Sequence, residues 1–250
     1  MRLDDGFPPE TAPFGAVDSP DADWQSLGSL ASLSIRVAKE PAPRPVTSAR
    51  AIAGFGLAGD RHASPQSPRQ LLLTGSAAYR RWSLPAASLR ENLCLEGSTA
   101  PLASGDLLRV GEEVILRMMF LCEPCSLLER RCPGTLKVIG ADRGMLARVV
   151  RGGEIRAGDA VALRRAQAPR WSNEWQERVL HVARAVPEGA WIGYRQLAQL
   201  AGVHTAYCRA FPRVLTRLPH EVASRVKNEI NAAAQWSGAG LFDFTVPAPG

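Results

Sequence analysis

The chain has 250 residues, 46% of them hydrophobic and 22% charged, with a formal net charge of +6. That length carries a substantial core in one large or two ordinary domains, and the composition excludes a chain disordered as a whole. The longest apolar stretch, near Val114 to Cys122, is interrupted by Arg117 and is too short to span a bilayer, so no membrane partner is expected.

Residues 1–26 are expected to form a flexible arm, because the stretch is rich in Pro, Asp and Gly and shows no periodicity. Its acids (Asp4, Asp5, Glu10, Asp18, Asp21, Asp23) face Arg2 alone. MRLDDGFPPE contains no apolar run of the secretory kind. The five cysteines, an odd number, suit free thiols in a reducing cytoplasm better than a disulfide framework.

Residues 27–165 carry the grammar of short strands and turns. LASLSIRVA and RQLLLTG read as strands, GDLLRVGEEVILRMMFL as two strands around Gly111, and GGEIRAGDAVALRR as two more around Gly158. Helices are expected at 75–82, 126–131 and 142–150. Together these predict an α+β chain built on a mixed β-barrel with inserted helices. AQAPRWSN (166–173) reads as a linker. Over 174–230 the period becomes helical: Trp175, Val179, Val182, Ala183 and Val186 share one face, a second helix closes at Gly202, and AYCRAFPRVLTRL offers a third. Helix, helix, Gly-containing turn, helix is the pattern of a small winged-helix-like domain. Residues 231–250 read as a loose tail.

The chemistry concentrates in CEPCSLLERRC, Cys122 to Cys132. A single Cys-x-x-Cys pair with no nearby histidine falls short of the four ligands of structural zinc, so no zinc is expected. Cys122 and Cys94 lie among Leu and Phe as small buried groups would. Cys125 follows Pro124 where an apolar strand gives way to a short helix, and backbone N–H groups at such a start favour a thiolate.

GLAGDRHA, RQLLL, RENLCLEG, GDLLRVGEEVILR, EPC and RGMLARVVRGGEIRAGDAVAL, in that order, resemble the MOSC domain, named for the C-terminal part of molybdenum cofactor sulfurases. The resemblance covers about residues 28–165. It implies a barrel-like fold and a working cysteine after proline, here Cys125, that carries sulfane sulfur or ligates molybdenum. It further implies that Asp60, Arg61, His62, Arg90, Asn92 and Arg143 surround an anionic or pterin-type ligand such as the molybdenum cofactor. Arginines suit that role through forked hydrogen bonds, while Asp60 and Asn92 also suit tying loops. The chain lacks the desulfurase domain that would charge Cys125, so a separate donor such as a cysteine desulfurase is the expected partner.

AVPEG, GYRQLAQLAG and CRAF resemble the winged-helix part of alkylguanine DNA alkyltransferases. That resemblance implies DNA as a partner, with Tyr194 and Arg209 at a flipped base. Helical spacing places Arg209, Arg213 and Arg217 on one face suited to phosphates. The stretch LPHEVASRV lacks the acceptor cysteine, so alkyl transfer is not expected. Two readings follow: a sulfurtransferase or molybdenum-cofactor-dependent protein using Cys125, or a non-enzymatic protein that binds modified bases.

Overall fold

The computed structural model describes residues 24–38, 40, 42–228 and 235–246. Residues 1–23 of the expected arm lie outside them. The N-terminal part consists of β1 (Gln25–Ile35), β2 (Arg44–Val46), β3 (Ser48–Ile52), β4 (Gly56–Leu57), β5 (Leu71–Gly75), α1 (Ser76–Arg81) and β6 (Leu93–Leu95). It continues through β7 (Leu107–Val110), β8 (Val114–Leu121), α2 (Ser126–Arg131), β9 (Met145–Arg151), β10 (Gly153–Arg156) and β11 (Ala160–Arg164). The main sheet runs β11-β7-β8-β9-β5-β6-β1-β2, and a β1–β11 pairing closes it into a barrel, with β2 outside the ring. The β5–β6 pair is parallel, joined by a crossover that carries α1, and the other pairs in the ring are antiparallel. The fold is therefore a mixed barrel of the α+β class.

The helix expected at 142–150 is a strand. Gly140–Arg143 form one 3-10 turn, and β9 then runs between β8 and β5 with Met145 to Val149 buried. A short apolar run buried on both faces has no period that separates strand from helix. Gly144 makes the junction: its φ is +100°, and a Cβ there would stand 2.2 Å from the Leu73 carbonyl oxygen.

β8 shows how one strand serves two cores. Val114, Leu116 and Met118 point into the barrel cluster, whereas Phe120 and Cys122 belong to a second cluster shared with the C-terminal helices. The ladder to β9 shifts register between Met118 and Phe120. A bulge at that point reverses which face successive side chains take, so Leu121 turns back to the barrel and Phe120 and Cys122 turn out.

The C-terminal part comprises α3 (Trp175–Ala185), β12 (Ile192–Gly193), α4 (Tyr194–Leu200), α5 (Phe211–Leu215), α6 (His220–Ala223) and β13 (Val226–Lys227). The apolar face read from the sequence is the packed one: Val179, Val182, Ala183 and Val186 are buried against Leu72, Phe120 and Leu146 of the barrel. Gly202 closes α4 with φ +64°, and a Cβ there would meet Phe120 and Pro68 at 2.7 Å. The module therefore sits directly on the barrel wall. The 166–173 segment carries the buried Trp171 into the shared cluster. Phe242, in the stretch expected to be loose, stacks on Trp171 with ring centroids 5.4 Å apart and lies under Arg148.

The third helix of the module is divided. Thr205–Ala210 form a 3-10 helix, and α5 begins at Phe211 with Pro212 in its first turn. Proline lacks the N–H that an uninterrupted helix would use here.

Candidate functional site

β8 delivers the chain to Cys125, which caps α2 with extended backbone, φ −133° and ψ 161°. Its side chain is exposed, whereas Cys94, Cys122 and Cys132 are buried and Cys208 is half-buried. Partial burial pushes the Cys125 thiol up, but the N–H groups of Leu128 and Leu127 and the Arg143 guanidinium outweigh it, so the net shift is downward. No cap hydrogen bond closes on Sγ; the N–H groups act as a local positive field. Burial drives two thiols the opposite way, Cys94 up to about 11 and Cys208 also upward.

Behind Cys125 lies a group of arginines. Arg143 is buried in the 3-10 turn before β9 and donates from Nη1 to the Leu89 carbonyl, 3.1 Å away. Burial lowers Arg90, with Arg131 and Arg61 adding to the effect and Cys125 opposing it. Arg90 is half-buried and holds φ at +59°, a conformation that non-glycine residues seldom adopt. Arg36, just past the end of β1, is pushed down to about 10 by burial, with Asp60 opposing and Arg90 and Arg143 lowering it further. The buried Nε atoms of Arg36 and Arg143 have no hydrogen-bond partner among the described residues.

Asp60 and Asn92 are spent on holding this frame. Asp60 accepts from the backbone N–H of Arg36 and His62, each at 2.8 Å, and from Asn92 Nδ2 at 2.6 Å. Asn92 accepts from Leu72 N and Arg36 Nη2 and donates to the Ser34 carbonyl. His62 is pushed down to about 4 by burial first and Arg36 second, so it is neutral near pH 7. Arg61 is exposed, and its N–H donates to the Arg36 carbonyl.

On its other side Cys125 opens into a cleft of about 420 Å³ lined by Arg69, Glu123, Pro124 and Ser126 and by four residues of the helical module, Trp175, Val203, His204 and Tyr207. Trp175 and Tyr207 pack with ring centroids 4.9 Å apart. His204 Nδ1 accepts from Ala206 N.

The four residues assigned to DNA from the sequence do not line this cleft. Tyr194 packs its ring edge-on against Phe211, 5.5 Å between centroids. Arg209 lies in the 3-10 segment and Arg213 in α5, both exposed. Arg217 follows α5 and donates to Glu177 Oε1 at 2.5 Å. The single helical face expected for the three arginines is thus broken at Pro212.

Sequence reasoning missed Arg36, Glu123 and the module's side of the cleft. Arg36 left one signal, a basic residue ending an apolar strand. Trp175 carries only the signal of a core-facing residue, and the meeting of 122–126 with 175–207 is a tertiary event that no local pattern records.

This geometry, an exposed thiol after proline with arginines behind it, meets the family comparison at the same residues. Residues 59–162 match the MOSC domain. The MOSC match takes in Cys125, Arg90 and Arg143, while Arg36 and the helical module lie beyond it. Among solved structures, the chain is similar to the YUAD protein from Bacillus subtilis, at 16% identity and a TM-score of 0.49, covering 56% of this chain and 97% of that one. It is also similar to YiiM from Geobacillus stearothermophilus, at 17% identity and a TM-score of 0.47, covering 74% and 98%. YiiM from Escherichia coli gives 19% identity and a TM-score of 0.45, covering 76% and 94%. Comparison with curated proteins finds no match. No helix among the described residues is long and apolar enough to cross a membrane.

Proposed function

We propose that Cys125 and the arginines behind it form a site for an anionic pterin-type ligand, the molybdenum cofactor or a close analogue, with Sγ as the soft donor. The observation that carries this reading is the pairing of an exposed thiol, held below its usual range, with two buried guanidinium Nε–H groups that lack acceptors. Buried cationic donors left unpaired are costly, and cations that lower one another are relieved by an anion. Among the described residues no group of three or more His, Cys, Asp or Glu is placed to hold a metal ion. A soft metal held by Sγ would bring further ligands with it, as the cofactor does.

The residues present fit that group. Bound here, the cofactor would supply metal-centred redox chemistry. Arg143 joins the N–H groups of Leu128 and Leu127 in lowering the Cys125 thiol. Arg36 and Arg90 offer charge to a phosphate or pterin edge. Asp60 and Asn92 orient Arg36, and neutral His62 adds no further positive charge.

The exposure of Sγ supports a second reading, carriage of sulfane sulfur. The Cys125 thiolate would attack the outer sulfur of a donor persulfide. A new S–S bond forms, the donor's S–S bond breaks, and the donor leaves as its thiolate with its electron pair. No outside oxidant is consumed.

Intact mass spectrometry with molybdenum and pterin analysis on freshly purified protein separates the two. Molybdenum with pterin, lost in Cys125→Ser but kept in Cys132→Ser, supports the first. An adduct of about 32 Da on the Cys125 peptide supports the second. Neither signal, together with salt-dependent duplex binding that weakens when Arg209 and Arg213 become Ala, would favour the DNA-binding reading instead.

A further inference from the structure

We infer that Glu123 and Arg178 are positioning residues for Cys125, locking the thiol-bearing loop to the helical module and so fixing the width of the cleft between them. The inference rests on Cys125 being the working thiol.

Arg178, on α3, has a side chain with no exposure at all. Its guanidinium lies 3.8 Å over the Phe120 ring. Nε donates to the Ala201 carbonyl at 3.0 Å, and Nη1 donates to those of Ser172 and Asn173 at 3.1 and 2.7 Å. Nη2 reaches Glu123 Oε1. The other carboxylate oxygen of Glu123 accepts from Arg69 Nη1 at 3.2 Å, and the same nitrogen donates to the Gly202 carbonyl at 2.9 Å. One residue earlier than the cysteine pair, Leu121 N donates to Asn173 Oδ1 at 2.9 Å.

The consequence is geometric. Glu123 stands two residues before Cys125, and Pro124 between them fixes φ, so little slack separates carboxylate and thiol. Burying a guanidinium is expensive, and a barrel packed on a helix by apolar contacts alone would not require it. What the buried charge adds is direction: three carbonyls hold Nε and Nη1 of a planar guanidinium, which leaves Nη2 aimed at Glu123 Oε1. Cleft walls from both parts, Glu123 and Cys125 on one side and Trp175, His204 and Tyr207 on the other, are thereby held at a fixed separation. The helical module acts as part of the thiol site rather than as an attachment to it.

The test compares two alkylating probes on the full chain at pH 7, with the modified peptide mapped to Cys125: iodoacetamide, which is small, and monobromobimane, which is bulky. Glu123→Leu keeps the volume and loses the acceptor. Glu123→Gln keeps an acceptor oxygen for Arg178. We expect Glu123→Leu to speed the bulky probe about tenfold, the factor tied to one charge-assisted hydrogen bond, with the small probe changed less than about twofold. Glu123→Gln should restore the bulky-probe rate toward the parent's, which a general loss of stability would not do. Equal bulky-to-small ratios in the parent and Glu123→Leu proteins would overturn this inference alone. Cys125 reacting with iodoacetamide no faster than Cys208 in the parent protein would overturn the thiolate reading and this inference with it.

Discussion

The Arg143 guanidinium, 6% exposed and anchored to the Leu89 carbonyl, faces the sulfur of Cys125 from within the barrel end. The two residues stand at opposite ends of one connection, Cys125 just past the exit of β8 and Arg143 in the turn before β9, and the β8–β9 ladder brings those ends together. Their proximity makes the cysteine's reactivity a property of the barrel and not of α2 alone.

Replacing Arg143 by Met should therefore raise the Cys125 thiol and slow its alkylation at pH 7, while the exposure of the sulfur is unchanged. Rate measurements across pH check this: the parent and variant should converge at high pH, where both thiols are ionised.

Gly144→Ala tests the backbone that sets Arg143. With φ at +100° and the new methyl carbon 2.2 Å from the Leu73 carbonyl oxygen, the strand junction must shift. The expected loss is about 2–4 kcal/mol, from positive-φ strain together with the clash. Urea unfolding should show a lower midpoint with an unchanged slope.

Arg178→Met should cost about 3 kcal/mol in the same assay, because it leaves carbonyls at Ala201, Ser172 and Asn173 without their donor. The Glu123 carboxylate, with its side chain 43% exposed, can turn to water, which limits its share of that loss.

His62 predicts a pH dependence of stability. Its folded value is about 4, pushed down by burial first and Arg36 second, against about 6.5 in the unfolded chain. Between those values the unfolded chain binds a proton that the folded chain refuses. Stability is thus full above about pH 6.5 and falls as pH drops toward 4, by at most about 1.4 kcal/mol per unit. Urea titrations at several pH values should show the slope, and His62→Gln should flatten it.

Much of this was legible from residue pattern. Turn glycines 111 and 158 and the alternating strands beside them marked the β7–β8 hairpin and the break between β10 and β11, and Pro124 followed by a short amphipathic run placed Cys125 at a helix start. β9 was not legible, because a run buried on both faces shows no alternation. The composite cleft was not legible either: Glu123 and Arg178 are 55 residues apart, and nothing in either neighbourhood announces the other. The third helix, expected as one piece, is divided where Pro212 enters the first turn of α5.

The most direct measurement is the pH profile of iodoacetamide alkylation at Cys125, read by peptide mapping on the full chain. An ordinary cysteine shows a midpoint of about 8.5. A midpoint clearly below that, moving up in Arg143→Met, is the predicted result. A midpoint at or above the ordinary value, unmoved by Arg143→Met, would contradict the account.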